Sequence, residues 1–409
     1  MRNQRSIFSR RLQGFAPPLL VAGATLSLPA HAQLNSDVIR PVVGLSVNYD
    51  SNVLGLTGPE QALAVTGRNS LSDTSRTLYA GLMIDKPVGR QVLSANVSAN
   101  STKFDRLTPL DYSGHDASLG WAWVLGNSFD GKLGINHVAT LAPFTDFHSL
   151  ERNTYTTDRR FASGIWHVLS DWRVHAGIAR YDVDYALAVE NVFDRKETQG
   201  ELGFDYATAS GNLAGLQYRF IDGKLPNQPL GPDKLDNDYH QGQIEFKSTW
   251  QFANKTKLDV VGGWVSRTHD VYKERDFRGG NGRMTLVHAL TPNLTFTGAA
   301  WRETGIFDDV STAYSTNRGL SLTGRWSVTG KLTLEGIARR EHRDYTRSAL
   351  QAALPHYSDV IRMNQLALTY MPLQRVNIQL TVFSTGKSPA DGFDAYSRHG
   401  ATLSTRYQF

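Results

Sequence analysis

The sequence predicts an all-β fold, a closed antiparallel barrel of about eighteen strands that spans a membrane. Three observations predict it. Apolar residues alternate with small or polar ones along nearly the whole chain, the connections between these runs are short and long in turn, and the last residue is the aromatic end of an amphipathic strand. The composition of the 409 residues excludes much else. With no cysteine there is no disulfide scaffold, Cys-ligated zinc, iron–sulfur cluster or acylated cysteine anchor. No stretch reaches the ~18 consecutive apolar residues of a membrane-spanning helix. The formal charge of +5 comes from one end: Arg2, Arg5, Arg10 and Arg11 precede residue 33, with no acidic residue among them. Removing those four from the 43 basic residues leaves 39 against 38 acidic ones, so the remainder lacks the basic patch of a nucleic-acid binder.

Residues 1–32 read as a secretory signal peptide: the four arginines, a short apolar stretch broken by Pro17, Pro18 and Gly23, and a small-residue site at Ala30-His31-Ala32. Ser9-Arg10-Arg11 is a fragment of a twin-arginine signal, but paired arginines are common in ordinary leaders. The barrel then occupies residues 33–409 as one domain. A leader followed by a barrel places the protein in a bacterial outer membrane, with outer-membrane lipid as its surroundings.

From residue 33 onward the period is two. In residues 92–100, Leu93, Ala95, Val97 and Ala99 share one face, while Ser94, Asn96, Ser98 and Asn100 share the other. Residues 256–267 and 376–382 repeat the pattern. It centres strands near residues 45, 80, 96, 119, 135, 162, 177, 203, 217, 244, 262, 283, 299, 321, 337, 366, 380 and 403, with helical turns only in loops, at 61–65 and 348–353. Tight turns fall at 87–89, 125–127, 169–171, 209–211, 253–254, 291–293, 328–330 and 373–375. The clearest long polar connections are 51–73, 186–195, 224–237 and 346–356. The short side is expected to be periplasmic, and loop tips such as Gly231 and Gly392 extracellular.

Trp123, Trp166, Tyr206, Trp250, His288, Trp326 and Tyr370 recur at intervals of 38 to 44 residues, each just before a short turn. A propeller blade of that length holds four strands, whereas each interval here holds two, so the repeat is a hairpin. With Trp172 and Tyr407, the Trp and Tyr members are expected to form a membrane girdle at the periplasmic interface. In the last strand Ala401, Leu403, Thr405, Tyr407 and Phe409 alternate with polar residues, which marks Phe409 as an assembly signal for barrel-assembly machinery.

The face opposite the apolar stripe faces the lumen. Arg173, Arg219, Arg267, Arg283, Arg325, Arg339, Arg398 and Arg406 lie on it in eight strands and are the expected substrate path, outweighing inward carboxylates such as Glu201, Asp205, Glu245, Glu303 and Glu335. For any one of them the competing role is a cross-strand ion pair that fills a polar wall. Enzymatic constellations are weak. His148-Ser149 lacks an orienting partner, Glu341-His342 and His240 lack metal-ligand spacing, and residues 232–238 lack the ordered ligand ladder of a calcium loop. Neither an enzyme nor a cofactor or metal is expected.

Residues 43–54 (VGLSVNYDSNVL), 141–147, 151–153 with 157–159, 235–239, 275–277, 300–303 and 329–332 carry a resemblance. They look like the EpsL-type outer-membrane proteins of exopolysaccharide gene clusters, among the beta-barrel porin 2 proteins. The resemblance implies a part in exopolysaccharide biosynthesis or export, with the polysaccharide and separate periplasmic and inner-membrane components as partners, and it supplies no catalytic residues. A passive conduit for the polymer is therefore the first expectation. A general or oligosaccharide-selective uptake porin is the alternative in the same architecture, and a plugged structural barrel or surface enzyme is the third.

Overall fold

A computed structural model describes residues 38–144, 148–227, 238–271, 273–305, 312–347, 357–390 and 395–409. The leader, the tips at Gly231 and Gly392 and the expected helical turn at 348–353 lie outside these residues. The strands are β1 Ile39–Asp50, β2 Asp73–Val88, β3 Gln91–Phe104, β4 Tyr112–Leu125, β5 Phe129–Leu141 and β6 Thr154–His167. They continue as β7 Trp172–Tyr185, β8 Arg195–Ala207, β9 Leu213–Lys224, β10 Tyr239–Phe252, β11 Thr256–His269 and β12 Phe277–Thr291. The last six are β13 Leu294–Gly305, β14 Thr312–Ser327, β15 Leu332–Arg347, β16 Tyr357–Leu373, β17 Val376–Pro389 and β18 Tyr396–Gln408.

Each strand pairs antiparallel with its chain neighbours, and β1 pairs with β18, from Val42 opposite Gln408 to Asp50 opposite Gly400. The sheet is an 18-stranded closed barrel without an edge, so every strand finds backbone partners without water, as a hydrocarbon environment demands. The two-residue period decides which side each residue takes. Leu78, Leu119, Ile178, Leu202, Leu216, Ile244 and Leu320 are all more than half exposed on the outer wall. A continuous belt of this kind would be an aggregation surface in water and is the burying face in a bilayer. The protein is thus a transmembrane barrel of the outer-membrane type, with short turns at one end and long loops at the other.

The girdle residues lie on the outer wall beside the short turns, several as ring pairs: Trp166 with Phe129, Trp172 with Phe204 and Tyr206, Trp250 with Phe252, and Tyr407 with Phe409 at 4.9 Å between centroids. Trp326 and Tyr370 are exposed outward at the same level, and the Trp123 indole lies across Gly131. The Phe409 amide donates to the Pro41 carbonyl at 3.0 Å, so the last residue is hydrogen-bonded to the first strand.

At the other end the buried apolar cluster comes from loops. Val53, Leu54, Leu56 and Ala62 of the β1–β2 loop pack with Leu107 and Leu110 of the β3–β4 loop, and Phe144 and Leu150 of the β5–β6 loop pack against them. The β1–β2 loop carries α1, Pro59–Thr66, which begins with proline in its first turn and ends at Gly67 in the left-handed conformation (φ 71°). Asn52 clamps the loop: its side-chain amide donates to the Leu56 carbonyl at 2.8 Å and the Ser397 carbonyl at 3.2 Å, and its oxygen accepts from the Leu56 amide. Asp73 accepts from the Arg106 and Leu107 amides.

Candidate functional site

A barrel of eighteen strands is wide enough to leave an aqueous channel, so the inner wall is the surface on which solutes act. All eight predicted arginines are on that wall, but they do not form one ring. Arg173, Arg325 and Arg406 lie toward the short turns, Arg219, Arg283 and Arg339 near mid-height, and Arg267 and Arg398 toward the long loops.

Most are paired with the inward carboxylates, the competing role named for each of them. Arg219 lies 3.3 Å from Glu201 and 3.8 Å from Glu245, Arg283 2.8 Å from Glu303, Arg325 3.9 Å from Glu335 and Arg339 2.6 Å from Glu341. Arg398 binds Asp50 across the closing seam, and Arg173 stands opposite Asp205 in the register. Arg267 donates to Gln241 at 2.7 Å and stacks on Tyr239, 4.3 Å from its centroid. Arg406 makes no ion pair among the described residues. The wall is polar and charged, with only a modest basic excess left unneutralised.

Three clusters organise it. On β7 to β10, His175 lies 3.0 Å from Asp205 and from Lys247, beside the Glu201–Arg219–Glu245 chain, and Gln217 donates to Glu245. Gly203 makes room, since a Cβ there would run into the His175 imidazole. Higher on β8 to β11, Glu197 accepts from the Tyr239 hydroxyl and from Gln199 and pairs with Arg195 at 3.2 Å. On β12 to β15 the Trp301 indole lies flat across Gly319, where any Cβ would collide with it. It donates to Glu341 at 3.0 Å and carries Arg283 and Arg339 at 4.8 and 4.7 Å from its centroid. Glu341 also accepts from Arg343 at 2.9 Å and is 2% exposed.

The aromatic plates Tyr239 and Trp301 are lumen residues that the sequence reading did not single out as such. The signal was present: in β13 the outward phase runs Leu294, Phe296, Gly298, Ala300, and Trp301 stands out of phase with it. His148 is a structural tie, its Nδ1 2.6 Å from the Leu54 carbonyl and its ring edge-on to Tyr396.

No family model matches the sequence, and no curated protein resembles it significantly, so the EpsL-type likeness gains no support from either. Solved structures resemble the fold. A BenF-like porin from Pseudomonas fluorescens Pf-5 is 11% identical over 91% of this chain and 99% of its own, with a TM-score of 0.53. OpdK from Pseudomonas aeruginosa, solved with vanillate, is 13% identical over 91% and 99% with a TM-score of 0.49. OccAB3 from Acinetobacter baumannii is 11% identical over the same shares with a TM-score of 0.49. The fold is that of outer-membrane porins.

Proposed function

We propose that this protein is a selective porin, a passive outer-membrane channel for small polar or anionic solutes. The observation that carries the reading is the inner wall: guanidinium groups from bottom to top of a closed barrel, held in place by aromatic plates and carboxylates rather than left as loose charges. The part-exposed forks among them, Arg283, Arg325 and Arg339, offer successive, weak contacts to carboxylate or phosphate groups, and a passing solute needs contacts weak enough to leave. A channel without an energy source has no direction of its own, so uptake follows from a higher concentration outside. The exopolysaccharide conduit suggested by the short sequence stretches has no structural observation that favours it over this reading.

The test is swelling of liposomes containing the purified barrel in solutes of graded size. Monosaccharides and small organic acids should enter, acids faster than neutral solutes of equal size, and long oligosaccharides should not. A barrel that admits nothing, or that admits polymer as readily as monosaccharide, would end this reading.

A further inference from the structure

On one stretch of the outer wall, β13 to β16, every strand carries an outward arginine. Arg302, Arg318, Arg340 and Arg362 occupy the outward phase of the adjacent strands β13 to β16, where their neighbours in phase toward the short turns are Ala300, Leu320, Ala338 and Asn364. The register sets Arg302 directly opposite Arg318 and Arg340 directly opposite Arg362, and all four are exposed. Like charges directly across a ladder repel, and a cation on the outer face of a barrel is tolerated only toward the interface. Among the described residues no carboxylate relieves them. The one acid on the outer face of β12 to β17 is Asp344, which is bound by His342 at 2.9 Å, and Arg302 reaches only the Gly280 carbonyl.

Toward the short turns from these charges runs an apolar groove of about 640 Å³. Small residues Gly298, Ala300 and Ala338 line it together with Met284 and Leu320, and Arg340 and Arg362 lie at its border. A Cβ at Gly298 would meet nothing within 4 Å, so the wall there is hollow. A hollow for hydrocarbon beneath a cluster of guanidiniums that meet no carboxylate among the described residues is complementary to one kind of molecule, an amphiphile with an anionic head and acyl tails. The cluster lies in the long-loop half of the barrel, at the level of the outer leaflet. We propose that this face binds a phosphorylated, multiply acylated glycolipid of that leaflet, its phosphate bridging the arginines and one acyl chain lying in the groove. The site is independent of what the lumen conducts.

Native mass spectrometry of the full barrel in detergent tests it, with bis-phosphorylated lipid A as the probe. The wild type should retain one molecule, while the Arg318→Gln/Arg340→Gln/Arg362→Gln variant should lose occupancy about tenfold. Ala300→Trp, which fills the groove and leaves the arginines intact, should lose it as well. Dephosphorylated lipid A should not be retained, and inorganic phosphate should neither bind measurably nor displace the lipid. Only outward side chains are changed, and heat-modifiable gel mobility reports that each barrel is closed. Retention by the triple variant, equal retention of the dephosphorylated lipid by the wild type, or displacement by phosphate alone would each overturn the proposal.

Discussion

Glu341 offers the sharpest test of whether the inner wall is a packed structure or a set of solvated charges. Its carboxylate is 2% exposed and accepts from Arg339 at 2.6 Å, Arg343 at 2.9 Å and Trp301 at 3.0 Å. The Arg343 side chain is 10% exposed, so Glu341→Ala leaves a nearly buried guanidinium without its anion, a loss of about 3–5 kcal/mol when one partner of a buried pair is removed. Arg339 is 24% exposed and water takes up part of its share, which puts the sum near the lower end, about 3 kcal/mol. That is on the order of a hundredfold in the folding equilibrium. Glu341→Gln keeps an acceptor of the same shape but turns an N–H₂ toward a guanidinium, and should cost about 1–3 kcal/mol. The control is Glu335→Ala. Its contact to Arg325 is 3.9 Å with both side chains about a third exposed, and its loss should cost about 0–1 kcal/mol. Urea unfolding in lipid vesicles, read by tryptophan fluorescence and gel mobility, should order the midpoints Glu335→Ala, Glu341→Gln, Glu341→Ala from highest to lowest. Equal midpoints for Glu335→Ala and Glu341→Ala would refute the reasoning, because the Glu341 cluster would then be as hydrated as a surface pair.

Other outcomes follow from the same structure. Changing Arg173, Arg325 and Arg406 together to Gln should shift the reversal potential of reconstituted channels toward cation selectivity with little change in stability, while single changes act weakly, each charge being worth about 1 kcal/mol or less in water; unchanged selectivity would remove these side chains from the solute path. Epitope tags at residues 126, 210 and 329 should be hidden in intact cells, and a tag at Val189, exposed in the β7–β8 loop, should be reached by antibody; the reverse pattern would invert the topology. Deleting Phe409, whose ring contributes a few kcal/mol of burial at most, should lower the yield of heat-modifiable barrel more than it lowers the stability of barrels that form. The Phe104 amide at 2.8 Å, followed by the Lys103 ammonium, holds the carboxyl of the loop residue Asp111 below its usual range. A depressed carboxyl stabilises at pH values above its unfolded value and ceases to do so as pH falls through the folded one. Hydrogen exchange in the 104–111 turn should therefore rise below about pH 4, and Asp111→Asn should show the faster exchange already at neutral pH.

The barrel was legible because a strand's period of two is written residue by residue. All eighteen expected centres fall within the observed strands, and the turn at 61–65 is α1. The side of the wall each arginine takes followed from the same phase. What each arginine touches did not. Arg219 meets Glu201 directly across a ladder, a pairing fixed only once register is known, whereas Arg339, Glu341 and Arg343 are spaced by two on one strand and their triad could have been read from the sequence. The loop layer was invisible, because Val53, Leu54 and Leu56, and Leu107 and Leu110, are short apolar runs with no period, and nothing local says that they meet. Several stretches behind the EpsL-type likeness serve that end of the molecule. Asn52 ties the β1–β2 loop to β18, Asn153 accepts from the Leu187 amide, and Asp276 accepts from the His269 amide at 2.6 Å. Such clamps report how loops are held and say nothing of cargo.

The seam between β1 and β18 joins the beginning and the end of the barrel. Strands β2 to β17 find both partners next to them in the chain, but the second partner of β1 arrives only when the final thirteen-residue strand is in place. Until then two raw edges are open at once, each a row of unpaired amides and carbonyls able to recruit another chain. Arg398 to Asp50 and Thr402 to Asn48, the latter at 2.7 Å, are the side-chain latches across that junction. Closure is therefore the last event and an indivisible one. A chain cut short before β18 would leave the outer edges of β1 and β17 without the partner that both have here.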